Sequence, residues 1–283
     1  MSMLLRSRTW KGALAVLCGV CIAAGVVAAT SSGARAVFQV DHQLCYTAVG
    51  KFHPPAAPNV RLIDQFSPNG FTPIIQPGLA LHCNPVLKVV KTASGGQQAF
   101  KPTNPRAHLA CLPFTLPAGT TVPTPKVLVT NQFGSAVLYL KQPNMLCLPS
   151  WKSMVSPKNL KPTTPPGLNH FTCYPVGDTA GSYKIPPVVL LKDEFTKGAP
   201  AQTQVSPVPS ELCLPAKKII TTASGATKTY PMVDPATHLL CFGGIKMPIK
   251  PKVWDENQFG TSAVYIRAAK WLCLPSTKQV IGK

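Results

Sequence analysis

"NQFGSAVLYLKQPNMLCLPSWK" runs from Asn131 to Lys152, and "NQFGTSAVYIRAAKWLCLPSTK" runs from Asn257 to Lys278. A chain that writes one sentence twice is read first for repeats, because a missed repeat mis-assigns the whole fold. Working outward, "KTASGGQQAFKPTNPRAHLAC" (Lys91 to Cys111) recurs as "TTASGATKTYPMVDPATHLLC" (Thr221 to Cys241), and Cys45, Cys83, Cys111 and Cys147 map onto Cys173, Cys213, Cys241 and Cys273. Inside each half lies a shorter repeat of His-x-x-Cys, an acid or amide pair followed by Phe, and Cys-x-Pro-x-x-Lys. The first unit has His42, Cys45, Asp64-Gln65-Phe66 and "HCNPVLK" ending at Lys88. The second has His108, Cys111, Asn131-Gln132-Phe133 and Lys152. The third has His170, Cys173, Asp193-Glu194-Phe195 and "LCLPAK" ending at Lys217, and the fourth has His238, Cys241, Asn257-Gln258-Phe259 and Lys278.

The local chemistry of a unit is β. "VLVT" before Asn131, "AVLYL" after Ser135, "VVLL" before Lys192 and "AVYIRA" after Ser262 are short β-branched runs bounded by Pro, Gly and Asn, as strands are. The Asn-Gln-Phe-Gly tetrads interrupt two such runs and read as turns, with Gly134 and Gly260 available for positive φ. The Phe is common to all four units, and an aromatic beside a tight turn reads as a core plug. "TASGG" at Thr92 and "TASGA" at Thr222 supply further turns. The expected fold is all-β: two tandem homologous, disulfide-stapled sandwich or barrel domains, 37–153 and 167–283, each built from two pseudo-two-fold related units, with 154–166 as a Pro-rich linker.

The recurring H-x-x-C-Y (Cys45-Tyr46, Cys173-Tyr174), D/N-Q-F and L-C-x-P-x-x-K motifs together resemble a family of exported bacterial proteins built on a domain of unknown function, often in tandem. The resemblance covers nearly the whole chain after its leader and implies export. It carries no activity, cofactor or site residue to transfer. Leu112 and Phe242 stand where the first and third units have Tyr.

Residues 1–36 read as a secretory signal peptide: Arg6, Arg8 and Lys11 precede an apolar run, and Ala34-Arg35-Ala36 is a small-residue exit. The protein is therefore expected outside the cell or in its envelope, with no membrane span once the leader is removed. That leaves eight cysteines, Cys45, Cys83, Cys111, Cys147, Cys173, Cys213, Cys241 and Cys273, in a compartment where disulfides persist. Four cysteines per half allow three connectivities. Pairing within a unit is favoured because the Asx-x-Phe turn lies near the midpoint of each such pair; Cys83 with Cys111 and Cys213 with Cys241 is the rival. Loop-closure entropy differs too little to arbitrate.

Beyond residue 36 the chain keeps 24 Lys and Arg against nine Asp and Glu, a formal charge of +15 (24 minus 9). This points to an anionic partner such as an acidic glycan, wall polymer or lipid surface. Basic runs such as "LKVVK" lack the aromatic interleaving of a nucleic-acid platform, so nucleic acid is not expected. His-x-x-Cys reads as structural and not as a metal signature, because residues three apart in a strand face opposite sides; a site combining His residues of different units, His53 or His82 included, is the alternative. Asp64 and Asp193 alternate with Asn131 and Asn257, which suits a turn better than catalysis. Asp193-Glu194 and Asp255-Glu256 read as surface charge, with half of a cation site as the alternative. No motif marks a nucleophile or a phosphate loop, so no catalytic, cofactor-binding or metal residue is assigned. The function expected is a non-enzymatic cell-surface or extracellular binding or structural protein. The rival is a secreted hydrolase or metal-dependent enzyme with its site in a cleft between units or domains, favoured if two carboxylates or three His converge there.

Overall fold

A computed structural model describes residues 40–56, 59–91, 95–160, 165, 167–247, 249 and 251–282. The expected signal peptide lies outside the described residues, as do part of the expected linker and the first three residues of the first TASGG turn. The first unit supplies β1 (Gln43–Val49), β2 (Val60–Ile63), β3 (Ile74–Ile75), β4 (Leu81–Pro85), β5 (Leu87–Lys91) and β6 (Gln97–Phe100). The second supplies β7 (His108–Thr115), β8 (Lys126–Asn131), β9 (Gly134–Leu140) and β10 (Met145–Ser153), and is followed by one turn of 3-10 helix at Pro157–Asn159. The third has β11 (His170–Ala180), β12 (Val189–Lys192), β13 (Ala201–Thr203), β14 (Pro209–Thr221) and β15 (Thr227–Tyr230); the fourth has β16 (His238–Phe242), β17 (Lys252–Asn257) and β18 (Gly260–Val280). The fold is all-β as expected. No helix among the described residues is long and apolar enough to cross a membrane.

Each unit contributes two strands, one carrying each of its cysteines, to a single closed ring. The antiparallel order is β1, β4, β7, β10, β11, β14, β16, β18 and back to β1. Eight strands close a barrel just wide enough for side chains to fill. Alternation along each strand sends the cysteines inward and their neighbours outward. One buried cluster accordingly gathers all eight cysteines with Leu81, Leu109, Met145, Phe171, Leu239 and Trp271. A larger one, holding Leu44, Tyr46, Leu112, Tyr174 and the Leu residues beside the other cysteines, packs between the barrel and outer strands. The disulfides join Cys45–Cys83, Cys111–Cys147, Cys173–Cys213 and Cys241–Cys273, each within its own unit and each between directly opposed residues of paired strands.

The two halves are not separate bodies, and the two-domain expectation is corrected here. Val37–Lys283 forms one compact unit. Besides the barrel seams β10–β11 and β1–β18, each unit sends its middle strand to the unit two places away: β2 pairs β14, β12 pairs β5, β8 pairs β18 and β17 pairs β10. Tyr46 Oη donates to Asp193 Oδ2 at 2.8 Å and, reciprocally, Tyr174 Oη donates to Asp64 Oδ2 at 2.7 Å. Homologous halves share one core because each exposes the strand edges and apolar faces that only the other covers.

The Asx-x-Phe segments are turns, as expected. In all four the Asx Oδ1 accepts the N–H of the Phe two residues on: Asp64 from Phe66, Asn131 from Phe133, Asp193 from Phe195 and Asn257 from Phe259. Gly134 and Gly260 follow at φ 119° and 103°, where a side chain would be strained. All four Phe rings are buried. Over each lies the ammonium of the preceding unit's motif lysine, in cyclic order: Lys88 over Phe133 (4.8 Å to the ring centre), Lys152 over Phe195 (4.2 Å), Lys218 over Phe259 (4.5 Å) and Lys278 over Phe66 (4.5 Å). The third lysine is thus Lys218, not Lys217. Strand alternation decides this, since Lys218 stands five residues after its cysteine, as the other three do, and is fully buried. Phe133→Ala removes one plug of this ring and is expected to cost about 3–5 kcal/mol by denaturant unfolding; Gln132→Ala, at an exposed bond to His42, should cost less than 1 kcal/mol by the usual measure of surface changes.

Lys88 differs from its three counterparts. Lys152, Lys218 and Lys278 each also bond the turn residue before their Phe, Glu194, Gln258 and Gln65. Gln132 instead bonds His42, and among the described residues the fully buried Lys88 Nζ has no hydrogen-bond partner. Burial pulls its pKa from 10.5 down to about 7. Between those values the unfolded chain binds a proton that the folded one lacks, so folding is penalised at neutral pH and the penalty fades as pH rises towards 10.5. Lys88→Met is expected to stabilise the protein at pH 7 by about 1–3 kcal/mol, with the gain shrinking by pH 10 in thermal melts.

Candidate functional site

A near-four-fold ring makes departures from the pattern visible. The residues on either side of the second cysteine of a unit face the outer core, and in three units they are Leu146 and Leu148, Leu212 and Leu214, and Leu272 and Leu274, all fully buried. The first unit places His82 and Asn84 there, also fully buried. Two residues before the turn Asx, three units have buried Leu62, Val129 and Leu191, and the fourth has Asp255, at 0% exposure. These three polar exceptions come from two units and meet at one place.

β17 runs along the end of β10 with Asp255 opposite Lys152, while β12 on β5 brings the Asp193 turn over the end of β4. His82 Nδ1 lies 2.7 Å from Asp255 Oδ2 and its Nε2 lies 2.8 Å from Asn84 Oδ1. Asn84 Nδ2 donates to Asp193 Oδ2 at 2.8 Å, the oxygen that Tyr46 also reaches. Lys152 Nζ donates to Asn84 Oδ1 at 2.7 Å, pairs with Glu194 and lies against the Phe195 ring. His108 Nδ1 is 3.1 Å from Asn84 Oδ1, and its Nε2 is 3.5 Å from Glu194 Oε1. The Asn84 amide orientation follows from its partners: an ammonium only donates, so it must meet the oxygen.

Burial, with the charges of Lys152 and His82 adding, holds the His108 imidazole well below its usual range, so this ring is neutral. Burial also lowers the Lys152 ammonium, against the opposing pull of Glu194, Asp255 and Asp193. Tyr46 is pushed far up by burial and then by Asp193, and stays a donor. A buried network of this size costs desolvation that an apolar core avoids. Three sister positions show that the fold itself is content with Leu or Val.

Above the cluster opens a cleft of about 700 Å³ whose lining includes His108, Lys152 and Asp193 with Arg106, Trp151 and Lys192. Glu194 stands at its mouth, 42% exposed, and also borders a second cleft of about 660 Å³ walled by Phe195, Met247 and Ile249. Among the described residues no group of three or more His, Cys, Asp and Glu has the geometry to hold a metal ion. No family model, curated protein or solved structure matches the chain.

From the sequence, His82 is only one histidine of a cross-unit set, and Asp193-Glu194 and Asp255-Glu256 read as surface charge. Asp193 and Asp255 are instead buried inside the cluster, while Glu194 is exposed and Glu256 partly so. The missed signal was the alignment of the units, where one copy writes His-Cys-Asn and three write Leu-Cys-Leu. His42, His108 and His170 reach the turn residue of the next unit, Gln132, Glu194 and Gln258, and His238 Nδ1 faces the Ala236 carbonyl, so all four motif histidines hold the structure together near strand starts.

Proposed function

We propose that this is an exported, non-enzymatic binding or structural protein of the cell surface or extracellular space, and that its partner is anionic. The observation that carries the reading is where the acids are. Asp41, Asp64, Asp178, Asp193 and Asp234 accept backbone N–H groups of turns and loops, and Asp255 pairs with His82. Among the described residues Lys152 is the one Lys or Arg in an ion pair with a carboxylate. The fold thus engages most of its few acids within itself and leaves most of its cations, Arg106 and Lys192 of the cleft wall among them, unpaired with carboxylates and able to attract a partner.

The rival, an enzyme in the cleft, draws on the two carboxylates that line it. They are consecutive residues, however, and Asp193 has both oxygens engaged by its own turn, Tyr46 and Asn84. Glu194 is left as a lone solvent-reaching carboxylate clamped by Lys152, which does not make a two-carboxylate acid–base pair. The test is a binding screen of the protein without its leader against acidic and neutral glycans, wall polymers and lipid vesicles at two salt concentrations. Binding to acidic members that weakens with salt, and weakens about tenfold in the Arg106→Ala/Lys192→Ala double variant, supports the reading. Salt-independent binding to a neutral member, or turnover of a screened polymer that Glu194→Gln abolishes, overturns it.

A further inference from the structure

The polar cluster contains a buried lysine and asparagine side chain held in contact at the floor of the cleft, with a carboxylate on the amide nitrogen and a histidine on the amide oxygen. We propose that Lys152 and Asn84 join through an intramolecular isopeptide bond, with loss of ammonia, and that Asp193 and His82 promote the reaction.

The geometry brings the two reacting groups into direct contact. Lys152 Nζ is 2.7 Å from Asn84 Oδ1, which places it within roughly 4 Å of the amide carbon, given a C=O bond of about 1.2 Å. The Asn84 and Lys152 side chains are both buried, which limits the access of competing water to the amide. Burial favours the neutral amine, the nucleophilic form of the lysine. With a proton on Nε2, His82 donates to Oδ1, where negative charge develops as the carbonyl is attacked, and Asp255 on Nδ1 holds the ring in place. Asp193 Oδ2 touches the nitrogen that must leave.

The step balances without an oxidant, cofactor or water. The amine of Lys152 forms a bond to Cγ of Asn84, giving a tetrahedral centre whose oxygen is met by His82. A proton lost from the attacking nitrogen is passed through Asp193 to Nδ2. The Cγ–Nδ2 bond then breaks, NH3 leaves through the cleft that Lys152 and Asp193 line, and Asp193 ends as the carboxylate it began. The product is a secondary amide between β4 and β10. It joins the first unit to the second, which none of the four disulfides does. It also accounts for three polar residues in positions that the sister units fill with Leu or Val.

The test is the accurate mass of the reduced and alkylated chain together with its peptide map. The chain is expected about 17 Da below the mass calculated for the alkylated, unlinked sequence, the mass of the departed ammonia, with a branched peptide linking the Asn84 and Lys152 segments. Asn84→Leu, which installs the sister residue, and Lys152→Met should both restore the full mass. Asp193→Asn keeps the turn cap, as Asn131 and Asn257 do, and should cut the linked fraction at a fixed time after synthesis by about tenfold or more. Full mass with Asn84 and Lys152 in separate peptides overturns the proposal. So does a loss of about 18 Da with Lys152 joined to Glu194, the condensation of an amine with a carboxyl. Linkage in Asp193→Asn as complete as in the parent overturns the role given to Asp193.

Discussion

Reduction of all four disulfides is expected to unfold the protein at room temperature. The bonds close loops with sequence separations of 38, 36, 40 and 32 residues. Loops of that length are worth about 4 kcal/mol each on the chain-entropy account, about 15 kcal/mol together, and the whole net stability of an ordinary domain is about 5–15 kcal/mol. The barrel offers little to replace them, because its interior is organised around the eight sulfurs and a handful of apolar side chains. Near-UV circular dichroism and thermal melts of the reduced, alkylated protein should show no cooperative transition. A melt within a few degrees of the oxidised protein would mean that apolar packing alone holds the ring.

Much of this architecture is legible in the sequence because it is local. The Asx-x-Phe turns need only a short polar side chain followed by an aromatic, and both the hydrogen bond and the buried ring are where that chemistry puts them. Strand pairing across units is not local. Four similar units can close as two pairs or as one ring, and nothing in the spacing of Cys45, Cys83, Cys111 and Cys147 distinguishes these, since the choice rests on which edges meet after folding. Counting homologous copies therefore suggested two domains where the chain builds one body. The disulfide pairing was nearly undetermined for the same reason. It is fixed by Cys45 standing opposite Cys83 on adjacent strands, a register that loop length does not encode.

The candidate site is legible in the sequence only when the four units are aligned. His82, Asn84 and Asp255 lie in segments whose repeat pattern was already known, and each is polar where its counterparts are apolar. Residue-by-residue reading hides this. Asp255 beside Glu256 looks like exposed charge, and only the alternation of β17 turns Asp255 inward while Glu256 stays partly exposed. In a repeat protein the sister copies state what the fold requires at a position. A departure shared by residues that meet in space is then a stronger pointer than any single motif.

Cutting the chain between 154 and 166 is expected to leave its two halves bound to each other, and neither half is expected to fold alone. No covalent bond would then hold them, since every disulfide lies within one unit and Asn84 and Lys152 both belong to the first half. What remains is two barrel seams, β10–β11 and β1–β18, four outer strand pairs exchanged crosswise, and the pairing of β9 with the end of β11. The reciprocal Tyr46–Asp193 and Tyr174–Asp64 bonds and the two lysines that cross between halves, Lys152 onto Phe195 and Lys278 onto Phe66, remain as well. An isolated half keeps four barrel strands with both edges open and the lumen exposed along one side, a state that costs unpaired backbone and unburied apolar surface at once. The nicked protein should therefore elute at the size of the whole in native gel filtration. After separation in denaturant without reductant, each fragment alone should lack a cooperative melt, and mixing equal amounts should restore it. A half that elutes as a monomer with its own sharp transition would show that the pairings across the halves join two self-sufficient domains.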